Sequence, residues 1–481
     1  MENKQVNKIA LGTFIGLTMA LCATVRSIPT LAATGWAQIS YSIFAVLFFA
    51  LPIALIAGEL GTAMPEEGGP QLWIKTALSS KLGFVAAWLL WVQMFPGMVM
   101  VASTIGPLLG NSFGNPTLGN NHWFVLGCIL VFYWIITLLS LKYDMAKVGG
   151  NIGVWLGVYI PIVIMAVMGI AALIKNGIMP GGTLGHFSMG KLIPTKDGLS
   201  SLKYMAGISF IFTGIEMSSV FIPRLHNPSK TFTKGIFVSL IGLVVLNLVN
   251  AMLVANVVPM GKMELSNITQ PILIYCQILG WPTMIANIFS FMVFIGVLLQ
   301  LSAWVTGPSK TIIQVARDGY LPAKLGFHKQ NQYGVSKNVV LTQTIAISLF
   351  ALLYGFMKDV NGVFLTLTNA TTILYAIVYL LIAVAVLKLR KDQPDLDRPY
   401  RIGKKRNGLA WAVSIALILG IAIIVFATLF TTSLSQSLLV VIISVIFTII
   451  PFIISKYKND QWLIDIQKDI NKNSFKKTVS C

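Results

Sequence analysis

The sequence predicts an all-α integral membrane protein with twelve transmembrane helices. Three observations carry that expectation. Only 11% of the 481 residues are charged and 56% are hydrophobic, where an ordinary soluble domain has roughly 25% charged residues. Apolar runs long enough to span a bilayer core recur from one end of the chain to the other. The cations fall in alternate connections between those runs, the asymmetry that orients membrane helices.

The runs lie near 9–33, 38–60, 83–109, 122–141, 152–174, 204–223, 235–258, 272–309, 338–356, 361–387, 409–431 and 434–455. The first follows a polar start, "MENKQVNK", with no small-residue cleavage site behind it, and reads as a retained span, not a signal peptide. The eighth is long enough to include a short lead-in segment. With both termini cytoplasmic, the inner segments hold 28 Lys and Arg and the outer loops six: Lys175, Lys191, Lys196, Lys203, Lys262 and Lys358. The formal charge of +19 is then a signal of topology and of lipid headgroups, not a nucleic-acid footprint. The basic tail, 456–481, carries Trp462, Leu463, Ile466 and Ile470. That pattern suits either an amphipathic helix lying on the membrane or a solvated end.

Several chemistries are excluded. The cysteines Cys22, Cys128, Cys276 and Cys481 have no paired spacing, and His122, His186, His226 and His328 stand far apart, so neither a disulfide framework nor a metal cluster is expected. There is no Walker loop, GxGxxG or GxSxG, so no cofactor and no hydrolytic or ATP-driven chemistry is expected.

The first and sixth spans are unlike the rest. Each is interrupted near its middle by small and polar residues and carries one charge there: "ALCATVRSIP" and "FIFTGIEMSS". Pro29 cannot donate a backbone hydrogen bond and its ring clashes with the Val25 carbonyl, so the helix should break at Val25–Arg26. Arg26 lies too deep to reach water by snorkelling, and a central arginine costs about 2.5–3.5 kcal/mol even on insertion scales, so it should face the protein interior. Glu216 follows Gly214 and is flanked by Thr213, Ser218 and Ser219, which offer local hydrogen bonds to a loosened backbone. Two arrangements follow. Arg26 and Glu216 neutralise each other across the breaks, or they face a cavity whose opposite charges match the ammonium and carboxylate of an α-amino acid. Paired interruptions of this kind point to a secondary transporter built from inverted repeats, here about 9–174 and 204–387, with helices at 409–455 appended in a single domain, 1–481.

Five landmarks resemble the amino acid/polyamine/organocation (APC) permease superfamily: "PEEGGP" (65–70), "FTGIE" (212–216), "HNPSKTF" (226–232), "TGPSKTIIQVARDGYLPAKL" (306–325) and "PDLDRPYRI" (394–402). Within it the chain is most similar to exchangers of an amino acid for its decarboxylation product, such as glutamate/γ-aminobutyrate antiporters. The resemblance implies a LeuT-like fold of five-plus-five inverted repeats with a mid-membrane site. It places Ala23, Thr24 and Val25 where backbone N–H groups meet a substrate carboxylate, although the glycines common there are absent. Phe210 takes the place of an aromatic gate, and Thr213 lies on the turn whose carbonyls receive the ammonium. Glu216 matches an acidic residue of gating and proton response, Gln93 a pocket position, and Trp304 a tryptophan on the inner side of the site. Glu59, which closes span two, reads as structural, and Lys147 as a topology charge. Arg26 is a departure from the family pattern. It either anchors a substrate carboxylate or holds Glu216 ionised, and the second role serves both legs of an exchange.

The resulting expectation is a multi-pass transporter of a bacterial inner or plasma membrane, surrounded by lipid, exchanging an amino acid for its amine. Aromatic pairs (tyrosine/tyramine, histidine/histamine) lead, on Phe210, Trp304 and Met94, with glutamate/γ-aminobutyrate next. The rivals are a proton-coupled symporter using Glu216 and, from another class, a receptor or channel on the same scaffold.

Overall fold

The computed structural model describes residues 9–479 apart from 23, 65–68, 146–151, 194–198, 226–227, 307–308 and 404–406. Ala23, Lys147 and parts of the landmarks at 65–70, 226–232 and 306–325 therefore lie outside the described residues. The first half of the chain forms α1 (Leu11–Cys22), α2 (Ser27–Ala32), α3 (Gly35–Ala63), α4 (Pro70–Ala77), α5 (Ser80–Ser112), α6 (His122–Lys142) and α7 (Trp155–Asn176). The second forms α8 (Met205–Phe210), a 3₁₀ segment (Ile215–Arg224), α9 (Pro228–Val257), α10 (Gln270–Leu279), α11 (Met284–Thr306), α12 (Ser309–Arg317), α13 (Lys337–Phe356) and α14 (Val360–Asp392). Then come α15 (Gly408–Thr431), α16 (Leu434–Lys456) and α17 (Asp460–Val479).

Among the described residues, ten helices are long and apolar enough to cross a membrane, and the only β contacts are isolated bridges, Ile9 with Leu225 and Gly182 with Pro259. The protein is a largely helical integral membrane protein. Its outward face is apolar, as lipid requires: on α15, Ile415, Leu419, Ile423, Phe426 and Phe430 are all exposed along one stripe. The two apolar runs that do not form long helices are the first and the sixth, each split into two short pieces. The eighth run resolves into α10 and α11, divided where Gly280 adopts a left-handed conformation (φ 74°) that ends α10.

Proline accounts for the interruptions of α5. In α5 the helix is interrupted at Gln93 and again at Ser103–Thr104. Pro96 and Pro107 stand where their rings exclude a bond to the carbonyls of Val92 and Ser103. Helices α7 and α11 meet backbone to backbone: a Cβ on Gly296 would lie 2.2 Å from the Gly157 nitrogen, so only glycine admits this contact. Helix α14 is the central one, packed on α3, α4, α5, α8, α15 and α16.

Beside it, the end of α3 is tied to the end of α14 by charge. Glu59 is fully buried, and its carboxylate accepts from Arg390 Nε (2.7 Å) and the Ile402 backbone N–H (2.9 Å), with Arg398 Nε at 3.4 Å. Arg390 also donates to the Ile402 carbonyl (2.7 Å). Glu59 is thus a structural cation-binding group at a helix junction, as its position in the sequence suggests.

The tail packs back onto the protein. Ile466 of α17 is fully buried, Leu463 lies against Gly319, and Lys458 stands 3.6 Å from the centre of the Tyr320 ring. Asp469 receives Lys329 Nζ at 2.9 Å and faces His328 Nε2 at 3.2 Å. Of the apolar positions that suggested an amphipathic helix, Leu463 faces the loop after α12 and Ile466 is buried, while Ile470 is exposed.

Two outcomes are expected. Glu59→Gln leaves two buried guanidinium groups short of a counter-charge and should destabilise the fold by about 3 kcal/mol, read as a lowered unfolding midpoint in detergent; an unchanged midpoint would refute the role. The second concerns pH. Burial pulls the His328 imidazole below its ordinary value; Asp469 opposes this, and Lys329 and Arg317 add to it. The folded protein therefore favours neutral His328 because burial outweighs the opposing pull of Asp469, and that contribution is present above about pH 6.5 and lost as pH falls. Lys329 lowers the Asp469 carboxyl, which shifts any loss on its account to still lower pH. Protection of the 460–471 amides, expressed relative to their intrinsic exchange rate at each pH, should be several-fold lower at pH 5.5 than at 7.5; equal protection would count against the latch.

Candidate functional site

The first break is held by its own side chains. Helix α1 ends at Cys22 and α2 starts at Ser27. The Val25 carbonyl released by Pro29 accepts instead from the Ile28 N–H (3.1 Å). Thr24 Oγ1 accepts from the Arg26 N–H (3.3 Å), and the Thr24 carbonyl accepts from Ser27 Oγ (3.0 Å). Between the half-helices Val25 is buried, and Arg26 is half-buried. These bonds satisfy the backbone locally, the condition for irregular chain at membrane depth.

The second break is a tightened turn. After α8 the backbone makes successive three-residue bonds: Ile211 N–H to Ile208 (3.2 Å), Phe212 to Ser209 (3.1 Å) and Thr213 to Phe210 (3.1 Å). Thr213 Oγ1 donates to the same Phe210 carbonyl (2.8 Å). Gly214 then turns the chain at φ 95°, a conformation costly for any other residue. The two breaks touch: Cys22 Sγ lies 3.9 Å from the Phe212 carbonyl, α1 packs on the 3₁₀ segment, and α8 packs on α2.

The two charges do not pair. Glu216 is fully buried and curls back onto its own turn, where Oε2 accepts from the Gly214 N–H (3.1 Å). Tyr375 donates to Oε1 (2.7 Å) and Tyr379 to Oε2 (2.8 Å). These tyrosines stand one turn apart on α14 with ring centres 4.8 Å apart. Arg26 points elsewhere: its Nη1 donates to Gln300 Oε1 of α11 at 3.4 Å. Among the described residues no carboxylate lies in ion-pair range of Arg26. The expected Arg26–Glu216 pair is therefore absent from this structure. Hydroxyl and backbone donors meet the carboxylate first, and the guanidinium projects toward spans seven and eight, where Asn247 Oδ1 lies 3.4 Å from Ser27 Oγ.

The other sequence-derived positions divide. Phe210 is half-buried at the end of α8, and Thr213 spends its hydroxyl on the turn. Gln93 is buried at the interruption of α5, its Nε2 donates to the Leu90 carbonyl of its own helix (3.2 Å), and among the described residues it makes no side-chain bond to another helix. Met94 is buried. Trp304 is 39% exposed, whereas Gln300 one turn earlier is 7% exposed. Around the second break Ser209 Oγ, Ser218 Oγ and Asn369 Oδ1 are buried with no hydrogen-bond partner among the described residues, which marks the region as polar and incompletely satisfied. Sequence reasoning missed Gln300, Asn247, Tyr375 and Tyr379. A signal was there: Gln300 is a lone amide in the run "FMVFIGVLLQLSAW", and the tyrosines of "YAIVY" are spaced one helical turn apart.

A family model for amino acid permeases matches residues 9–454. The chain is similar to an uncharacterized transporter of Legionella pneumophila, at 27% identity over 79% of this chain and 80% of that one. It is similar to the glutamate/γ-aminobutyrate antiporter of Lactococcus lactis, at 26% identity over 93% and 90% of the two chains. A third relative is the probable agmatine/putrescine antiporter AguD of the same species, at 25% identity over 95% and 96%. With a match across nearly all of a helical membrane protein, the chain belongs to the amino acid permease family: it is a multi-pass secondary-active transporter of the APC type, and not an enzyme.

Proposed function

We propose that this transporter is an antiporter that exchanges an acidic amino acid for its decarboxylation product. The observation that carries the reading is Arg26, a cation set in the gap of a broken helix with a neutral amide as its one side-chain partner among the described residues. A cation inside a membrane protein needs an anion, and the described residues supply none, so the substrate is the natural source. Glutamate meets this demand on both legs. Loss of its α-carboxylate gives γ-aminobutyrate, which keeps the side-chain carboxylate for Arg26. An aromatic pair, favoured from sequence alone, leaves Arg26 without an anion on the amine leg, and the exposure of Trp304 weakens the aromatic pocket invoked for it. The names of the two Lactococcus lactis relatives support exchange as the mode of transport.

In this reading ten long helices and two split ones make twelve spans, with repeats at about 9–174 and 204–387, α15 and α16 appended, and both termini cytoplasmic on the strength of the charge asymmetry. Backbone N–H groups of Ala23, Thr24 and Val25 face the α-carboxylate, carbonyls of the Phe210–Thr213 turn face the ammonium, and Phe210 is the aromatic gate that stacks on the substrate. Gln93 and Trp304 are at most peripheral to substrate. Glu216, held by Tyr375 and Tyr379, is the group of α8 and its continuation that responds to protons and gates the second helix. Its burial also suits the rival, a proton-coupled symporter.

Reconstitution separates these. Vesicles loaded with γ-aminobutyrate should take up labelled glutamate, and empty ones should not; uptake into empty vesicles driven by a pH gradient would replace exchange with symport. Arg26→Met should lower glutamate uptake at least about tenfold, since it removes a charge-assisted contact, and retention of wild-type uptake would sink the acidic-substrate reading. Glu216→Gln should keep exchange within a few-fold at its best pH but flatten the pH profile; an unaltered profile would remove Glu216 from the gating role.

A further inference from the structure

We propose that Gln300 is a specificity-determining residue: a neutral brace that holds the Arg26 guanidinium in place without neutralising it, and so reserves its charge for an anionic side chain. The proposal rests on the reading that Arg26 meets the second carboxylate of the substrate.

Three features support it. Gln300 is buried, and its Oε1 accepts a single long bond, 3.4 Å, from Arg26 Nη1. A guanidinium has five N–H donors in a planar fork that matches a carboxylate two bonds at a time. One amide contact fixes the fork and leaves most of it free. Second, the brace cannot drift. Its backbone lies against the segment leading into α7, where a Cβ on Gly153 would fall 2.9 Å from the Gln300 nitrogen. One turn earlier Gly296 meets Gly157. Third, Gln300 Nε2 has no hydrogen-bond partner among the described residues. The amide therefore offers a second donor beside the guanidinium, suited to the other oxygen of a bound carboxylate.

Charge is the reason for an amide here. A glutamate at 300 would have the same shape but would fill the fork with an internal carboxylate. It would also repel the substrate's own carboxylate. Discrimination between an acidic amino acid and its neutral amide isostere then depends on what is not charged at this position.

The test compares uptake of glutamate and glutamine by reconstituted, full-length protein loaded with γ-aminobutyrate, with KM and maximal rate measured separately. The wild type should prefer glutamate. Gln300→Glu should lower that preference by at least about tenfold, bringing the two substrates level or inverting their order. Gln300→Met, of similar volume and without an acceptor, should raise the glutamate KM several-fold and leave the maximal rate within about twofold. It also serves if Gln300→Glu fails to give monodisperse protein. Preservation of the wild-type preference in Gln300→Glu, or of the wild-type KM in Gln300→Met, would overturn the assignment. If Arg26→Met abolishes the preference while the Gln300 variants keep it, only the brace is wrong. If the wild type itself does not prefer glutamate to glutamine, the acidic-substrate reading falls, and the brace with it.

Discussion

At membrane depth a backbone N–H or C=O has no water to turn to, so a helix can open only where the chain itself supplies replacement bonds. The rest of this site follows from how the first and sixth spans meet that constraint. At the first, Pro29 releases the Val25 carbonyl, and the Ile28 N–H, Thr24 and Ser27 close the gap. At the second, a run of three-residue turns and a left-handed glycine do the same. Because these repairs are local, both breaks can sit side by side without support from a ligand. The gap at the first break leaves the Arg26 side chain with a neutral amide opposite it, while the carboxylate at the second is enclosed by its own turn and two tyrosines.

The chain treats its buried charges in two contrasting ways. Glu59 is saturated by two arginines and a backbone N–H, at a junction joining the ends of two long helices. Such a cluster costs desolvation and returns it through several charge-assisted bonds, so its work is to hold geometry. Glu216 is saturated as well, but by neutral donors from a neighbouring helix and from its own turn. That arrangement links the second broken helix to α14, so a change in the proton count at Glu216 has a direct mechanical connection to the central helix. Arg26 alone of the three is met by a single neutral acceptor. An ion pair with Glu216 would have been a structural staple. Its absence leaves the cation outside the ion-pair network that holds the scaffold together.

The tail shows the same economy on a smaller scale. Its few apolar residues are enough to fasten one helix onto the loop after α12, and a buried histidine facing an aspartate and a lysine places that contact under the influence of pH. An amphipathic pattern specifies that a helix will cover something apolar, and here Leu463 and Ile466 turn toward the protein.

Much of this was legible in the sequence, and for physical reasons. Lipid imposes length and hydropathy on every crossing segment, so the helical membrane class and the positions of the long helices follow from apolar runs alone. Proline and glycine act on the residues next to them, so the interruptions at Val25–Arg26 and before Glu216 could be located without a fold. The structural character of Glu59 followed from its place at a span end. What sequence could not determine was pairing between distant elements. Whether Arg26 meets Glu216 or Gln300 depends on which faces of four separate helices converge. The tyrosines at 375 and 379, the amide at 300 and the docking of Ile466 are decided by the same convergence. Local chemistry sets where a helix must open, whereas only tertiary packing decides what each opened group finds opposite it, because hydrogen bonds and charges act over a few ångströms between residues hundreds of positions apart.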